Sequence, residues 1–462
     1  MIDEKIDSLS NKLIEDTQKV LQINSVVKYN ESGTRFGIGV TKALNTVLSI
    51  AEEMGFKAVN LDNYIGYVEY GEGEDYVAVL GHLDVVPEGN DWIYPPYGAE
   101  IHDGKIYARG ALDDKGPMMA ALYGLKALKD SGLKTTKRVR IIFGLDEENG
   151  TDLDMDYYKR LEKLPVAGFT PDAEFPIIFA EKGILTFDIK AITDNKLGNV
   201  EVISISGGNK ANMVPDYCEA ILKGVDFNVL LGIIKSVEAE TGIKIICTEE
   251  AQDQVILKAH GLSAHGSTPE LGKNAIIAIC MVLNALGGTS KLAEYINFVA
   301  EKIGTDTTGE KLGVAMTDKP SGALSYNLGI LSFDGENIST TSNVRYPVTY
   351  SREDVLEPIR QFVDFNEYEF EEINHCTPLH CDKDSELIKA LQNVYKEQVG
   401  KEATLIAIGG GTYAKCMPNI VAFGPIFPGK PDLDHQANEY IEIEDLIMCA
   451  KIYGNAIYEL AK

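Results

Sequence analysis

The sequence has one tryptophan, seven cysteines and seven histidines in 462 residues, and its 43 Lys and Arg are outnumbered by 70 Asp and Glu. Each shortage excludes something. An odd number of widely spaced cysteines fits reduced thiols better than a disulfide framework. The shortage of basic residues leaves a formal net charge of −27, a field that repels phosphate backbones and anionic lipid and argues against nucleic-acid or membrane-surface partners. No run approaches the roughly eighteen apolar residues of a membrane span. Residues 1–20 lack the basic flank and apolar stretch of a signal peptide, so a cytoplasmic protein is expected.

What remains is an ordinary soluble composition, 45% hydrophobic, in a chain too long for one core. Two helical patterns end near Ile23 and Met54, and short strand-like runs with intervening helices follow as far as Lys182, an α/β texture. The clearest strands, 77–80, 139–143 and 177–179, are compact apolar runs of the kind buried on both faces of a sheet. From Gly183 the texture becomes α+β. The first texture resumes after Asp384, with a helix at 385–398, a strand at 420–423 and a closing helix from Ile443. The expectation is one catalytic domain, 1–183 and 383–462, interrupted by an inserted domain, 184–382.

Five residues of metal-ligating type, His82, Asp113, Glu148, Asp172 and His435, stand at or just beyond expected strand or helix boundaries, and in open α/β sheets such ends converge on one crevice. In Gly81-His82-Leu83-Asp84, His82 and Asp84 share a face of an extended segment, so one can ligate while the other orients. Asp113 and Asp114 precede a helix and could simply cap it. Capping explains neither Arg109-Gly110 before them nor Lys115-Gly116 after them. Asp146-Glu147-Glu148 sets three acids side by side after an apolar strand, which is unfavourable unless a cation neutralises them. One of them can ligate while its neighbour handles protons. Two histidines and three carboxylates suit zinc, with manganese or cobalt feasible.

Together these segments resemble the dinuclear zinc peptidase superfamily that includes the aminoacylases, succinyl-diaminopimelate desuccinylase and carnosinase, and within it the bacterial dipeptidases of the peptidase V type. Six ordered motifs carry the likeness: Gly-His-Leu-Asp-Val-Val-Pro, Ala-Arg-Gly-Ala-Leu-Asp-Asp-Lys-Gly-Pro, Asp-Glu-Glu, Pro-Asp-Ala-Glu-Phe-Pro, Asn-Met-Val-Pro-Asp and Ile-Gly-Gly-Gly-Thr-Tyr. The resemblance implies a central mixed sheet flanked by helices, an inserted lid, and two divalent ions, zinc first among them. By position it implies that Asp113 bridges the ions, that His82 and Asp172 complete one, and that Glu148 and His435 complete the other. Glu174 is the rival to Asp172. It further implies that Glu147 is the general base, that Asp84 orients His82, and that the Asp113–Asp114 peptide is cis.

In the inserted domain the resemblance implies a catalytic His265 and substrate-binding Asn212 and Arg345, while Gly410, Gly411 and Thr412, in the turn 409–412, would meet the substrate carboxylate. Asp at position 172 goes with the dipeptidases of the superfamily, where Glu accompanies deacylases and desuccinylases, so a small peptide is the expected substrate. Monomer and homodimer both stay open. A binding protein on a dead scaffold would lack a ligand or the base, and none is missing. One cluster falls outside the resemblance: His375-Cys376-Thr377-Pro378-Leu379-His380-Cys381 has zinc-friendly residue types, but Pro378 forbids a helix through it and a strand would face its ends apart, which reads as a connection between domains.

Overall fold

Short apolar runs build the sheet that positions the candidate site. In a computed structural model describing residues 1–29, 31, 33–250 and 253–462, the first such strands are β1 (Lys57–Leu61), β2 (Ile65–Tyr70), β3 (Tyr76–His82), β4 (Arg138–Gly144), β5 (Ala167–Thr170), β6 (Ile177–Glu181) and β7 (Ile420–Ala422), in the order β1-β2-β4-β3-β5-β7-β6. β4, β3, β5 and β7 run parallel, whereas β1, β2 and β6 pair antiparallel. Every residue of β3 is buried, as a parallel strand covered on both faces requires. The three strands anticipated at 77–80, 139–143 and 177–179 are thus β3, β4 and β6, in the expected mixed sheet flanked by helices.

The flanking helices include α1 (Ile2–Leu21), α2 (Ile38–Glu53), α3 (Lys115–Ser131), α4 (Leu153–Leu161), α5 (Glu386–Val399) and α6 (Ile443–Ala461). α3 is buried along most of its length and packs on α1 and α6. Its crossing with α6 is set by glycine, since a Cβ at Gly124 would lie 2.7 Å from the Gly454 backbone nitrogen. No helix among the described residues is long and apolar enough to cross a membrane.

These elements form one compact unit, Met1–Ala180 with Cys381–Ile406 and Gly411–Lys462; the second comprises Glu181–His380 and Ala407–Gly410. The second unit has its own antiparallel sheet, whose longest strands are Gly183–Ile192 and Asn337–Tyr346, and its own core. Its helices Phe227–Thr241 and Ala275–Ala285 begin on Asp226 and Asn274, whose side chains accept the first free backbone N–H groups.

Candidate metal centre

Three adjacent parallel strands deliver the candidate ligands. His82 ends β3, Glu147 and Glu148 follow β4, and Asp172 follows β5 by two residues. Asp113 lies just ahead of α3, and His435 sits on the loop between β7 and α6. The imidazole Nε2 of His82 is 3.0 Å from Asp113 Oδ1 and 3.7 Å from Asp172 Oδ2, while Nε2 of His435 is 3.1 Å from Asp113 Oδ2 and 2.9 Å from Glu148 Oε2. The five residues therefore form two triads of metal-binding type that share Asp113, one carboxylate oxygen facing each. Glu174, the rival to Asp172, is exposed and pairs through its backbone with Ile426.

The electrostatics of the cluster favour a cation. Among the described residues, His82 Nε2 and Asp113 Oδ1, close but not aligned as a hydrogen bond, and Glu148 Oε1 are buried without a hydrogen-bond partner, an unfavourable state that a bound ion would relieve. Burial and repulsion from Asp113 push Glu148 up to about 7 and Asp172 up to about 6. Burial and repulsion from Asp172 push Glu147 well above the usual carboxylate range. The bonds to Asp113 and Glu148 push His435 up to about 11. Burial opposes protonation of His82, but Asp113, Asp172 and Asp84 outweigh it and raise its pKa. The donor set, two imidazoles and three carboxylates, fits two hard or borderline divalent ions.

Asp84 acts through two groups. His82 Nδ1 lies 3.0 Å from the Asp84 carbonyl oxygen and 3.5 Å from its carboxylate. The carboxylate accepts the backbone N–H groups of Glu147 at 3.3 Å and Glu148 at 3.1 Å. One residue thus sets a histidine and the acidic turn beside it.

The residues around Asp113 that helix capping could not explain all hold this segment in place. Gly110 has φ +86°, and a Cβ on Gly116 would come within 2.1 Å of the Ala111 carbonyl oxygen. Lys115 is buried and donates to the Ile23 carbonyl at 2.7 Å, and Asp114 accepts the His82 backbone N–H at 3.2 Å instead of capping α3. The Asp113–Asp114 peptide is cis.

Sequence reasoning missed two further buried acids. Glu439 accepts from Arg109 and from three backbone N–H groups of the Asp113 segment. Asp154, at the start of α4, uses Oδ2 to accept from Leu145 N at 2.7 Å, Asp146 N at 3.2 Å and the Tyr413 hydroxyl at 2.5 Å. Tyr413→Phe removes one of these donors from a buried carboxylate, and unfolding of this unit in urea is expected to require about 1–3 kcal/mol less. An unchanged midpoint would show that the hydroxyl contributes nothing.

The second unit holds Asn212, His265, Arg345 and Gly410 of the remaining candidates. The backbone of Asn212 accepts from Gly266 N at 2.7 Å, which sets Asn212 beside the His265 segment, and His265 Nδ1 is 2.7 Å from Ser267 Oγ. Buried Arg345 donates to Asn343 Oδ1 and to the Gly409 carbonyl, each at 2.8 Å, and a Cβ on Gly409 would lie 2.6 Å from Ser267 Cβ. Among the described residues Arg345 has no carboxylate partner, and burial brings its pKa down to about 10. Gly410 belongs to this unit, whereas Gly411 and Thr412 belong to the first. His375 lies on a strand, Glu369–Cys376, with Nε2 2.7 Å from the Tyr346 hydroxyl.

Residues 78–459 match Peptidase family M20/M25/M40. The chain is 43% identical over 457 residues to "Putative dipeptidase YtjP" of Bacillus subtilis, covering 97% of each chain. It is 34% identical over 465 residues to a "Putative dipeptidase" of Staphylococcus epidermidis, covering 99% of this chain and 98% of the other. Among solved structures it resembles human carnosine dipeptidase 1 (TM-score 0.59, 15% identity, 100% and 98% coverage) and the dipeptidase Dug1p from Saccharomyces cerevisiae (TM-score 0.60, 15% identity, 100% and 98% coverage). At these identities the two structures speak to the fold alone.

Proposed function

The chain belongs to Peptidase family M20/M25/M40, and from that premise we propose that it hydrolyses dipeptides at a centre of two divalent ions, zinc by the nature of the donors. The observation that carries this reading is the sharing of Asp113 between two triads, with the buried Glu147 in electrostatic range of members of both. The names of the Bacillus subtilis and Staphylococcus epidermidis relatives support dipeptides as the substrate class. His82, Asp113 and Asp172 would hold one ion, and Asp113, Glu148 and His435 the other, where they supply a Lewis acid for the scissile carbonyl and lower the pKa of water toward neutrality.

The chain's own groups do the rest. Glu147, held by Asp84 through its backbone, takes the proton of the attacking water on its carboxylate and returns it to the leaving amine. Asp84 fixes His82 Nδ1 so that Nε2 faces the triad. We assign substrate recognition to Asn212, Arg345, Gly410, Gly411 and Thr412, and stabilisation of the developing oxyanion to His265. Arg345, a buried planar donor without an acid partner among the described residues, suits the carboxylate end of a peptide.

A panel of dipeptide, tripeptide and N-acetyl amino acid, assayed after metal removal and again after readdition of zinc, tests the reading. Dipeptide turnover that returns with two equivalents of zinc supports it; preferential turnover of the N-acetyl substrate would make the chain a deacylase on the same scaffold. Arg345→Ala is expected to lower kcat/KM on a dipeptide by about 10- to 100-fold, the worth of a hydrogen bond to a charged group. The same variant should change turnover of the C-terminal amide much less. Equal losses on the two substrates would remove Arg345 from carboxylate recognition.

A further inference from the structure

Glu439 is a fully buried carboxylate with every acceptor site in use. Its Oε2 accepts from Arg109 Nη1 at 2.7 Å and Gly110 N at 3.0 Å, and its Oε1 from Leu112 N at 2.8 Å and Asp113 N at 3.2 Å. Its backbone carbonyl accepts the Ala108 N–H at 3.1 Å. The whole turn 108–113 is therefore wrapped on one residue, ending at the amide of Asp113. Arg109 is in turn buried and placed over the Trp92 ring, 5.4 Å from its centroid.

The same residue anchors the loop that carries His435, four positions earlier. That loop has left-handed backbone at His435 (φ 63°) and Asn438 (φ 64°), and Asn438 fastens it to Ile93 N at 2.6 Å and to the Asp91 carbonyl at 3.2 Å. His435 is the most exposed of the candidate ligands, with 57% of its side chain accessible, so packing alone does little to fix it.

We propose that Glu439 is a positioning residue that sets the bridging carboxylate of Asp113 and the imidazole of His435 relative to each other, and so governs occupancy of the ion position formed by Asp113, Glu148 and His435. This rests on the reading of those residues as ligands. The two ion positions depend on Glu439 unequally. His82 ends β3 and Asp172 follows β5 by two residues, and among the described residues neither bonds to Glu439. In the other triad two donors of three sit on the segments it joins, and only Glu148 is held elsewhere, by Asp84.

Glu439→Gln isolates the effect, because the amide keeps the shape and either orientation of it points an NH2 at two N–H donors. Glu439→Asp keeps the charge that Arg109 requires but is too short to reach both pairs of donors. The test is titration of metal-free protein with cobalt(II), followed by its visible spectrum, with thermal melting measured alongside. Wild type is expected to take up two ions per chain. In the variants the second ion is expected to bind about 10- to 100-fold more weakly, as loss of a group that orients a ligand usually does, with a smaller change for the first. If wild type binds fewer than two ions, the metal reading fails and this assignment with it. If either variant folds and binds both ions with wild-type affinity and spectrum, whatever its melting temperature, Glu439 is only structural and the assignment alone is overturned.

Discussion

Glu147→Gln should keep two ions per chain and lose about 10²- to 10⁴-fold in kcat, the range that general acid–base catalysis contributes. Gln fills the same space, and its backbone N–H can still donate to Asp84, so the acidic turn is expected to stay in place. It cannot take up a proton. Burial and the surrounding carboxylates already favour the protonated form of Glu147, and two bound cations would return it toward an ionised base of moderate strength. Glu148→Gln makes the contrast, since it removes a ligand oxygen and should lower metal content before it affects chemistry. Ion content by elemental analysis together with kcat separates the two residues. A kcat within tenfold of wild type in fully loaded Glu147→Gln would take the base role away from it.

That contrast between neighbours shows what the sequence could convey. The apolar runs at 77–80 and 139–143 are of the kind buried on both faces of a sheet, and the polar residues that end such strands emerge at one edge. His82, Glu147 and Glu148 were legible for that reason. Asp113 was legible as an acid before a helix, but its separation from a capping role needed the structure, in which neither it nor Asp114 caps α3. Glu439 and Asp154 were illegible because they bind backbone N–H groups, which every residue carries, and partners as remote as Tyr413, 259 positions from Asp154. An acid that satisfies buried amides looks, in a sequence, like any surface acid. The sequence marks Asp84 as an orienting residue, but the structure divides its work between a carbonyl for His82 and a carboxylate for the turn at Glu147 and Glu148.

The shared position of Asp113 makes its replacement the most informative change in the candidate centre. Asp113→Asn preserves the shape and the backbone N–H that donates to Glu439, so the turn 108–113 has no reason to rearrange. It does replace one of two oxygens, each facing a different histidine at 3.0 and 3.1 Å, by an NH2 that cannot ligate. Whichever way the amide turns, one triad loses a donor and the pair loses its shared negative charge. The expected protein folds, melts close to wild type, and holds one ion at most. Turnover should fall by about a thousandfold or more, since polarisation of the carbonyl by a metal is worth several kcal/mol and each 1.36 kcal/mol is tenfold in rate. Asp172→Asn, in contrast, touches one triad only and should leave the ion at His435 bound. If Asp113→Asn retains two ions at wild-type affinity, Asp113 is no bridge, and the two triads would have to be read as separate sites or as a hydrogen-bonded acidic cluster.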